Sequence, residues 1–468
     1  MGKKTKGEEL REQLMFSPEN CGEKMSDKEI ESAYSFCEPY KTFLDNSKTE
    51  RDAVKNVVAM VEAKGYKPFD AKTKYNQGDK IYYNNRDRAI IVATVGKKSL
   101  DNGVTILAAH IDSPRVDLKP RPLYEDSHLA LLKTHYYGGI KKYQWTAVPL
   151  ALHGAVYRKD GSMVEVNIGE DENDPVFVIN DLLPHLAKDQ NARTLAKGIE
   201  GEELNILIGC MPFKDDKASE KVKLNVMRML NEKYGFVEGD FRTAELCAVP
   251  AQKAKDVGLD RGMVGSYGHD DRVCAYTALM AELDQKEVPE YTSVVVLADK
   301  EEVGSDGNTG LHSSYLKYFI ADLAAPHGIA GRTVLSASKC LSADVTNAHD
   351  PSFPSVTEKN NTAYLNYGVC IMKYTGSGGK GGTNDSDARY MNEVTRVLEN
   401  ADVIWQTGEL GKVDQGGGGT VAKFVSALNV DTIDIGVPVL SMHAPFEVVS
   451  KLDVYQTYKA FDAFIKRK

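Results

Sequence analysis

Five clusters of acidic and histidine residues follow short apolar runs at widely separated points of this 468-residue chain. One His-x-Asp group is common by chance, and one acidic pair says little about a fold. Five such clusters instead predict a metal centre assembled from the ends of several strands, because the carboxyl ends of strands in an open α/β sheet meet at one edge. The clusters are His110 with Asp112, Asp270 with Asp271, Glu301 with Glu302, Asp344, and His443.

His110 and Asp112 directly follow the apolar run 106–109. Strand alternation places both side chains on the same side, just beyond a buried strand. A metal-bound imidazole usually donates its other ring N–H to a carboxylate, which predicts that Asp112 orients His110. Taken alone, His110 is better explained as a hydrogen-bonded core histidine, so the metal interpretation depends on the other clusters.

The two acidic pairs each have a simpler explanation. Asp270 and Asp271 precede an apolar helical segment, where one Asp would serve as the helix N-cap. A doubled pair indicates more than a cap. Glu301 and Glu302 follow the strand predicted at 293–298 and could form a solvated turn. On an extended backbone, however, adjacent side chains point in opposite directions, so one glutamate can bind a metal while the other faces a water molecule as general base.

Asp344 and His443 each stand alone in apolar surroundings. Either side chain could be a hydrogen-bonded buried polar group. Together the clusters supply two histidines and several carboxylates without cysteine, which is the ligand set of a catalytic rather than a structural zinc site. Mn²⁺ and Co²⁺ accept the same donors, so the sequence predicts a divalent metal site and does not select the metal.

The composition is that of a globular protein. With 468 residues, 42% of them hydrophobic, the chain is long enough for two or three domains. The net charge of −9 argues against nucleic acid as a partner, because phosphate binding needs a concentrated basic surface. Seven cysteines without a CxxC motif favour free thiols over a disulfide framework. No apolar run suits a membrane span or signal segment, so we expect a cytoplasmic protein with no membrane partner.

The apolar pattern predicts an α/β protein with a mixed central sheet and helices on both faces. Alternating apolar and polar residues replace this pattern at 121–250, which predicts a β-rich domain inserted into a domain formed by 1–120 and 251–468. Two helices are predicted between 26 and 64. Further predicted helices are 273–283, 313–324, 385–398 and 454–464, and predicted strands are 82–83, 89–95, 104–109, 293–298, 334–338, 369–374 and 432–439.

Two glycine-rich loops need separate interpretation. Residues 376–381 match G-x-G-x-x-G, but no acidic residue follows at the position that binds a ribose, so dinucleotide binding is not favoured. Lys380 is followed by Gly381 rather than Ser or Thr, so the loop is not a Walker A motif. The run 416–419 is better interpreted as backbone that approaches a site closely, with N–H groups facing a substrate.

With these residues identified, the chain resembles the M18 family of metallo-aminopeptidases, which includes aspartyl aminopeptidase and vacuolar aminopeptidase I. The resemblance extends over nearly the whole length. Its glycine-rich loops look like those of a bacterial-type branch, so a preference for acidic or neutral N-terminal residues stays open. The motifs that carry it are AAHIDSPRVDLKP at 108–120, PHLAKDQ at 184–190, GHDDRVCAYTAL at 268–279, ADKEEVGS at 298–305, SADVTNAHDP at 342–351 and SMHAPFE at 441–447.

The resemblance implies a site with two divalent metal ions, zinc first among them. Glu301 would be the general base, and the Asp270–Asp271 peptide bond would be cis. A substrate with a free amino group would dock on one ion while both ions activate a bridging water molecule. The implied metal ligands are Asp270 as the bridge, His110 and Asp344 on one ion, and Glu302 and His443 on the other.

The resemblance also implies an assembly. The family fold has a catalytic domain interrupted by a dimerisation domain, and members form tetrahedral dodecamers that enclose their active sites. His185 would come from the inserted domain of a neighbouring subunit and stabilise the tetrahedral oxyanion. Lys373, at the end of a predicted strand, is a candidate partner for an acidic substrate side chain, with an ordinary surface lysine as the equal alternative.

Two other functions stay open at the level of sequence. A dinuclear site of this kind also suits a deacylase or carboxypeptidase of related fold, which would not need a free substrate amine. The second alternative is a metal-dependent oligomeric scaffold with an inactive centre. Glu301 argues against the scaffold, because metal binding alone does not need a general base.

Overall fold

The computed structural model describes residues 4–468, which form three β-sheets. No helix within this range is long and apolar enough to cross a bilayer. The helices are α1 (Lys6–Leu14), α2 (Cys21–Lys24), α3 (Asp27–Asp45), α4 (Glu50–Ala63), α5 (Lys188–Asn191), α6 (Lys221–Tyr234), α7 (His269–Leu283), α8 (Tyr315–Ala324), α9 (Gly331–Ala337), α10 (Ala388–Asn400), α11 (Ala422–Ser426) and α12 (Lys451–Ile465).

The strands divide among the three sheets. They are β1 (Lys67–Pro68), β2 (Lys80–Asn85), β3 (Ala89–Thr94), β4 (Val104–His110), β5 (Arg115–Asp126), β6 (Leu129–Tyr137), β7 (Leu150–Tyr157), β8 (Met163–Ile168), β9 (Val178–Ile179), β10 (Ile206–Gly209), β11 (Ala244–Pro250), β12 (Lys255–Val257), β13 (Met263–Ser266), β14 (Thr292–Ala298), β15 (Lys339–Ala343), β16 (Thr346–Asn347), β17 (Val369–Met372), β18 (Trp405–Thr407), β19 (Asp431–Gly436), β20 (Pro438–Leu440) and β21 (Glu447–Ser450).

The predicted pair of N-terminal helices is confirmed as α3 and α4. Each helix begins with a capping box, Ser26 with Glu29 in α3 and Thr49 with Asp52 in α4. In this arrangement the hydroxyl accepts the N–H of the acidic residue, and the acidic side chain accepts the N–H of the cap. These caps fix where the helices begin, and α4 then packs on the central sheet while α3 packs on helices α7 and α12.

The central sheet has nine strands in the order β1-β2-β3-β14-β4-β15-β19-β17-β18. The core strands β14, β4, β15 and β19 are parallel to one another, β3 is antiparallel to β14, and β17 is antiparallel to β19. Strands β3, β4 and β14 are buried along their whole length, as a sheet covered on both faces requires. Helices α4, α7, α10 and α12 cover one face, with α3 packed against α7 and α12, and helices α8, α9 and α11 cover the other face. The predicted mixed α/β/α fold class is confirmed.

Two smaller sheets flank one edge of the central sheet. A seven-stranded antiparallel sheet, in the order β8-β7-β11-β5-β6-β10-β9, uses residues 115–250. The chain enters it directly after His110 and Asp112. A five-stranded sheet, in the order β12-β13-β21-β20-β16, contains the strand before Asp270 and the strand after His443. Residues of the predicted metal centre therefore lie where the three sheets adjoin.

The strand predicted at 334–338 is wrong. These residues lie mainly in helix α9, and strand β15 begins only at Lys339. Val334 and Leu335 are both buried against the second face of the central sheet. A pair of adjacent apolar residues fits helical and strand periodicity equally well, so the pattern alone does not separate the two.

The single strand predicted at 432–439 is also wrong, because it is divided between two sheets. Its first part is β19 in the central sheet, and its last part is β20 in the five-stranded sheet. A Cβ atom on Gly436 would lie 1.7 Å from the main-chain oxygen of Asp344, so the two backbones can approach here only with glycine. The helix predicted at 385–398 begins later, as α10.

Candidate metal centre

The ends of neighbouring parallel strands surround one imidazole. His110 ends β4 opposite Ala298 of β14, and β15 lies on the other side of β4. The Nε2 atom of His110 is 3.7 Å from Oδ1 of Asp344 and 3.9 Å from Oε2 of Glu301. Side chains that follow three different strands therefore meet at the edge of the sheet where the sequence predicts them.

Asp270 lies between the two histidines. Its Oδ1 atom is 3.2 Å from Nε2 of His110, and its Oδ2 atom is 3.0 Å from Nε2 of His443. Oε1 of Glu302 is 3.5 Å from the same nitrogen of His443. One carboxylate thus presents an oxygen to each of two histidine–carboxylate groups, as a ligand shared by two ions must.

The donor atoms fit divalent metal ions. Two sets of three converge within 4.8 Å, His110 with Asp271 and Asp344, and His110 with Asp270 and Glu302. One oxygen each of Asp270, Asp271 and Glu302 is buried and has no hydrogen-bond partner among residues 4–468. Buried polar atoms are normally paired, so these oxygens are available to a cation. Nitrogen and carboxylate donors without thiolate are typical of catalytic zinc sites.

The Asp270–Asp271 peptide bond is cis, as the resemblance implies. Both residues have non-helical backbone inside the first turn of α7, whose N-cap position is Gly268 without a side-chain cap. Asp270 is therefore not a helix cap, since its oxygens face the histidines. Asp271 Oδ2 accepts the backbone N–H of His110 at 3.3 Å, which ties α7 to the end of β4.

Burial and mutual repulsion shift the pKa values of the carboxyl groups in this cluster. Burial raises the pKa of Glu301 to about 8, and nearby carboxylates add to the shift. The pKa values of Glu302 and Asp271 are raised for the same two reasons. Burial acts in the same direction on Asp270, but the adjacent rings of His110 and His443 hold its pKa below the ordinary value. A divalent cation would relieve this crowding of carboxylates.

Asp112 makes more hydrogen bonds within the site than the predicted contact with His110. The Nδ1 atom of His110 lies 3.0 Å from the main-chain oxygen of Asp112 and 3.3 Å from its Oδ1. The Asp112 carboxylate also accepts the backbone N–H groups of Glu301 and Glu302, at 3.1 and 3.2 Å. The hydroxyl of Tyr137 donates to it at 2.8 Å. Asp112 therefore fixes the turn that carries both glutamates as well as the His110 ring.

Known proteins similar to this chain belong to one family of metal-dependent enzymes. The family model described as aminopeptidase I zinc metalloprotease (M18) matches residues 43–465. The chain belongs to the M18 family. It is 49% identical over 460 residues to a probable M18 family aminopeptidase 1 from Clostridium acetobutylicum, an alignment that covers 97% of this chain and 99% of that relative. As a member of this family the chain is a metallo-aminopeptidase, a hydrolase that acts on peptide bonds.

Solved M18 structures share the fold. The crystal structure of an M18 family aminopeptidase from Thermotoga maritima matches with a TM-score of 0.91 at 41% identity, covering 97% of this chain and 100% of that one. Aminopeptidase I from Clostridium acetobutylicum matches with a TM-score of 0.91 at 44% identity and the same coverage of both chains. The resemblance to the M18 family that the sequence motifs carry is therefore confirmed.

The sequence does not predict two further contacts of this M18 site. The main-chain oxygen of Gly139 accepts a hydrogen bond from Nδ1 of His443 at 2.8 Å. Gly139 follows β6, so the seven-stranded sheet contributes directly to the site. Glu447 accepts the backbone N–H groups of Asp270 and His443. Its place at the end of the SMHAPFE motif is the sequence signal that points to it.

The structure does not bring His185 or Lys373 to the cluster within one M18 chain. His185 lies exposed in the short 3-10 turn Pro184–Leu186. Lys373 follows β17, which runs antiparallel to β19 and therefore away from the metal-facing edge of the sheet. Its Nζ atom lies 3.1 Å from a carboxylate oxygen of Asp385. The roles given to both residues stay predictions.

Proposed function

We propose that this chain is a two-metal aminopeptidase in which Asp270 bridges the two ions. The position of Asp270 carries the proposal, because its two oxygens lie 3.2 and 3.0 Å from different histidine rings. Zinc is the metal named in the family description, and Mn²⁺ or Co²⁺ would suit the same donors. The other proposed ligands are His110 and Asp344 on one ion, and Glu302 and His443 on the other.

Glu301 is the proposed general base. Its carboxylate lies 3.9 Å from Nε2 of His110, and 15% of its side chain is exposed, so a substrate-side water molecule can reach it. Two divalent ions held by these ligands would lower the pKa of an attacking water molecule and polarise the scissile carbonyl group. Glu301 takes the proton from that water and passes it to the leaving amine. Asp112 keeps the backbone of Glu301 in place during this transfer.

We assign residues 1–120 and 251–468 to a discontinuous catalytic domain, and residues 121–250 to an inserted dimerisation domain. The apolar core beneath the seven-stranded sheet and α6 is a separate cluster from the two cores that cover the central sheet, which supports the division. Strand β5 crosses the proposed boundary, because it begins at Arg115.

We also propose that the chain forms a homo-oligomer, a tetrahedral dodecamer, in which His185 enters the site of a neighbouring subunit. There its imidazole would stabilise the oxyanion of the tetrahedral intermediate. Leu182, Leu183 and Leu186, beside His185, are 52%, 49% and 68% exposed. An apolar patch of this kind is typical of a protein–protein interface. A yeast aminopeptidase of the same fold has been solved as a dodecamer.

The proposed substrates are peptides with a free N-terminus. The test is hydrolysis of tripeptides that begin with Asp, Glu, Leu, Met or Lys, beside N-acetylated controls, with metal removed and then restored. Release of the first residue that requires both the free amine and the metal is the expected result. Cleavage of blocked peptides, or release of the last residue, would indicate a deacylase or carboxypeptidase, and no cleavage by metal-loaded protein would favour the scaffold.

The same panel tests Lys373. If its ammonium group pairs with an acidic substrate side chain, Lys373→Ala lowers cleavage of the Asp and Glu peptides and leaves the Leu peptide unchanged. Equal effects on all five peptides would remove Lys373 from the substrate site.

A further inference from the structure

Glu447 makes hydrogen bonds with the backbones of two proposed metal ligands. It is the first residue of β21, and its side chain is buried, with 1% of the residue exposed. Oε2 accepts the N–H of Asp270 at 3.0 Å, and Oε1 accepts the N–H of His443 at 2.7 Å. We infer that Glu447 is a positioning residue that holds Asp270 and His443 at the separation that metal binding requires, an inference that rests on the proposed two-metal function.

Both amide groups need an acceptor from outside their own segments. Asp270 stands at the start of α7 with non-helical backbone, where N–H groups have no partner in the preceding turn. His443 has a φ of 65° and Ser441 a φ of 59°, both in the left-handed region that non-glycine residues rarely adopt. Such a conformation persists only when its surroundings hold it. The Glu447 carboxylate supplies that support to His443 and to Asp270 at once.

The arrangement requires a carboxylate. Each oxygen of Glu447 accepts one N–H group, so both ends of the side chain must be acceptors. A glutamine has one acceptor oxygen and one donor NH₂ group, and its NH₂ group would face an N–H donor whichever way it is turned. Burying a carboxylate beside the acidic ligand cluster is unfavourable in itself.

The consequence for the metal site follows from the positions of the two ligands. Asp270 faces both histidines, and His443 belongs to the group that includes Glu302. Releasing either backbone changes the distance between Asp270 and His443, because the Glu447 carboxylate joins the two backbones through one hydrogen bond to each. Residues that orient metal ligands in this way typically contribute about 10- to 100-fold to metal affinity or activity.

Asp453 provides a matched control. It is also fully buried, and each of its oxygens accepts one backbone N–H, from Asn366 at 2.8 Å and from Gly368 at 2.7 Å. Neither partner belongs to the metal cluster. Asp453→Asn therefore repeats the chemical change of Glu447→Gln, the loss of one of two backbone hydrogen bonds to a buried carboxylate, without touching a proposed ligand.

The experiment compares full-length wild type, Glu447→Gln and Asp453→Asn. Zinc dissociation constants are measured by competition with a chromophoric chelator, and turnover is measured as zinc is added. We expect Glu447→Gln to weaken at least one zinc site by about 10- to 100-fold and to regain turnover at high zinc. Asp453→Asn should lower the melting temperature and leave both zinc constants as in wild type.

The outcomes separate the inference from the function on which it rests. A folded Glu447→Gln protein that binds both ions as tightly as wild type would overturn the positioning role. A wild type that binds fewer than two ions would instead overturn the two-metal proposal. Should Glu447→Gln not fold, Glu447→Asp keeps both acceptor oxygens on a side chain one methylene shorter. It should then show weaker zinc binding, and wild-type affinity in that variant would also overturn the inference.

Discussion

Glu301 and Glu302 are neighbours in sequence but differ in their surroundings. The side chain of Glu302 is 4% exposed and lies 3.5 Å from the His443 ring, whereas that of Glu301 is 15% exposed and borders the cluster. Asp112 accepts both of their backbone N–H groups, so the two side chains leave one rigid turn in different directions. This geometry suits Glu302 as a metal ligand and Glu301 as a general base.

Glu301→Gln should separate the two roles. The amide cannot accept a proton from water, so we expect turnover to fall by about 10²- to 10⁴-fold, the usual contribution of a positioned general base. Zinc content should stay at the wild-type value, because Glu301 is not a proposed ligand. Steady-state kinetics and metal analysis of the purified protein check both points. Glu302→Gln is the control and should lose zinc as well as activity. Wild-type turnover in Glu301→Gln would contradict the assignment.

The sequence predicts some of these residues and cannot predict others, for a physical reason. His110 and Asp344 can be predicted because His110 ends one buried strand and Asp344 directly follows another, and parallel strands bring their ends to one edge. Gly139 cannot be found in this way, because its contribution is a main-chain oxygen that no side-chain pattern marks. The hydrogen bonds from the backbone of Glu301 and Glu302 to Asp112 depend on the pairing of β4 with β14, which only the folded sheet shows.

At the scale of elements, a partly buried ion cluster joins α4 to the seven-stranded sheet. His153, on β7, lies 2.9 Å from Oδ2 of Asp52 and 3.0 Å from Oε1 of Glu170. Asp52 is also the acid of the α4 capping box. Burial lowers the pKa of His153, but the hydrogen bonds with both carboxylates outweigh it and raise the pKa above its usual value. The charged imidazole therefore stabilises this junction.

The stabilisation by His153 should depend on pH. Because its folded pKa exceeds the unfolded value of about 6.5, the contribution is complete below that pH and is lost as the pH rises through the folded pKa. Burial opposes ionisation of Glu170, but His153 and Lys48 lower its pKa to about 2, so Glu170 stays charged throughout this window. His153→Gln should therefore reduce the melting temperature more at about pH 6 than at about pH 9.

Melting curves of wild type and His153→Gln between these two pH values check this prediction. His312→Gln is the control, since His312 makes a comparable contact with Asp306 at 2.6 Å but on the surface, where both side chains are mostly exposed. Its substitution should have little effect at either pH. A difference between wild type and His153→Gln that is the same at every pH would show that His153 contributes by packing and not by charge.

Element boundaries were harder to predict than element order. Strands such as β14 are predicted well, because the run TSVVVLA is rich in β-branched residues, which favour a strand over a helix. Helix α9 is missed because only Val334 and Leu335 of its residues are buried. The division between β19 and β20 depends on the contact of Gly436 with the backbone of Asp344, a tertiary event that the apolar run 432–439 does not reveal.

At the scale of the whole molecule, the site joins three sheets. His110 belongs to the central sheet, Gly139 follows a strand of the seven-stranded sheet, and Glu447 begins a strand of the five-stranded sheet. A metal bound among them stabilises the folded chain, because the unfolded chain does not gather these donors. We expect zinc at about 1,000 times its dissociation constant to add about 4 kcal/mol per site to the free energy of unfolding.

Thermal unfolding with zinc and with a chelator tests this link between metal and fold. Zinc should raise the melting temperature of wild type, and the rise should be much smaller in His110→Ala, which lacks a ligand placed in both donor groups. Equal melting temperatures of wild type in zinc and in chelator would show that the sheets adjoin without help from the metal.

The proposed oligomer makes a prediction that no single chain can satisfy. If His185 acts in the site of a neighbouring subunit, His185→Ala and Glu301→Gln should each be nearly inactive alone. A mixed assembly contains sites with Glu301 from one chain and His185 from the other, because a symmetric dimer contact exchanges equivalent residues. Random pairing of equal amounts of the two variant chains should restore about a quarter of wild-type turnover, since half of the sites keep Glu301 and half of those receive His185.

Co-expression of the two variants with different affinity tags, followed by tandem purification and activity measurement, tests this expected recovery of turnover. Mixed assemblies as inactive as their parents would place His185 in its own subunit or outside the reaction.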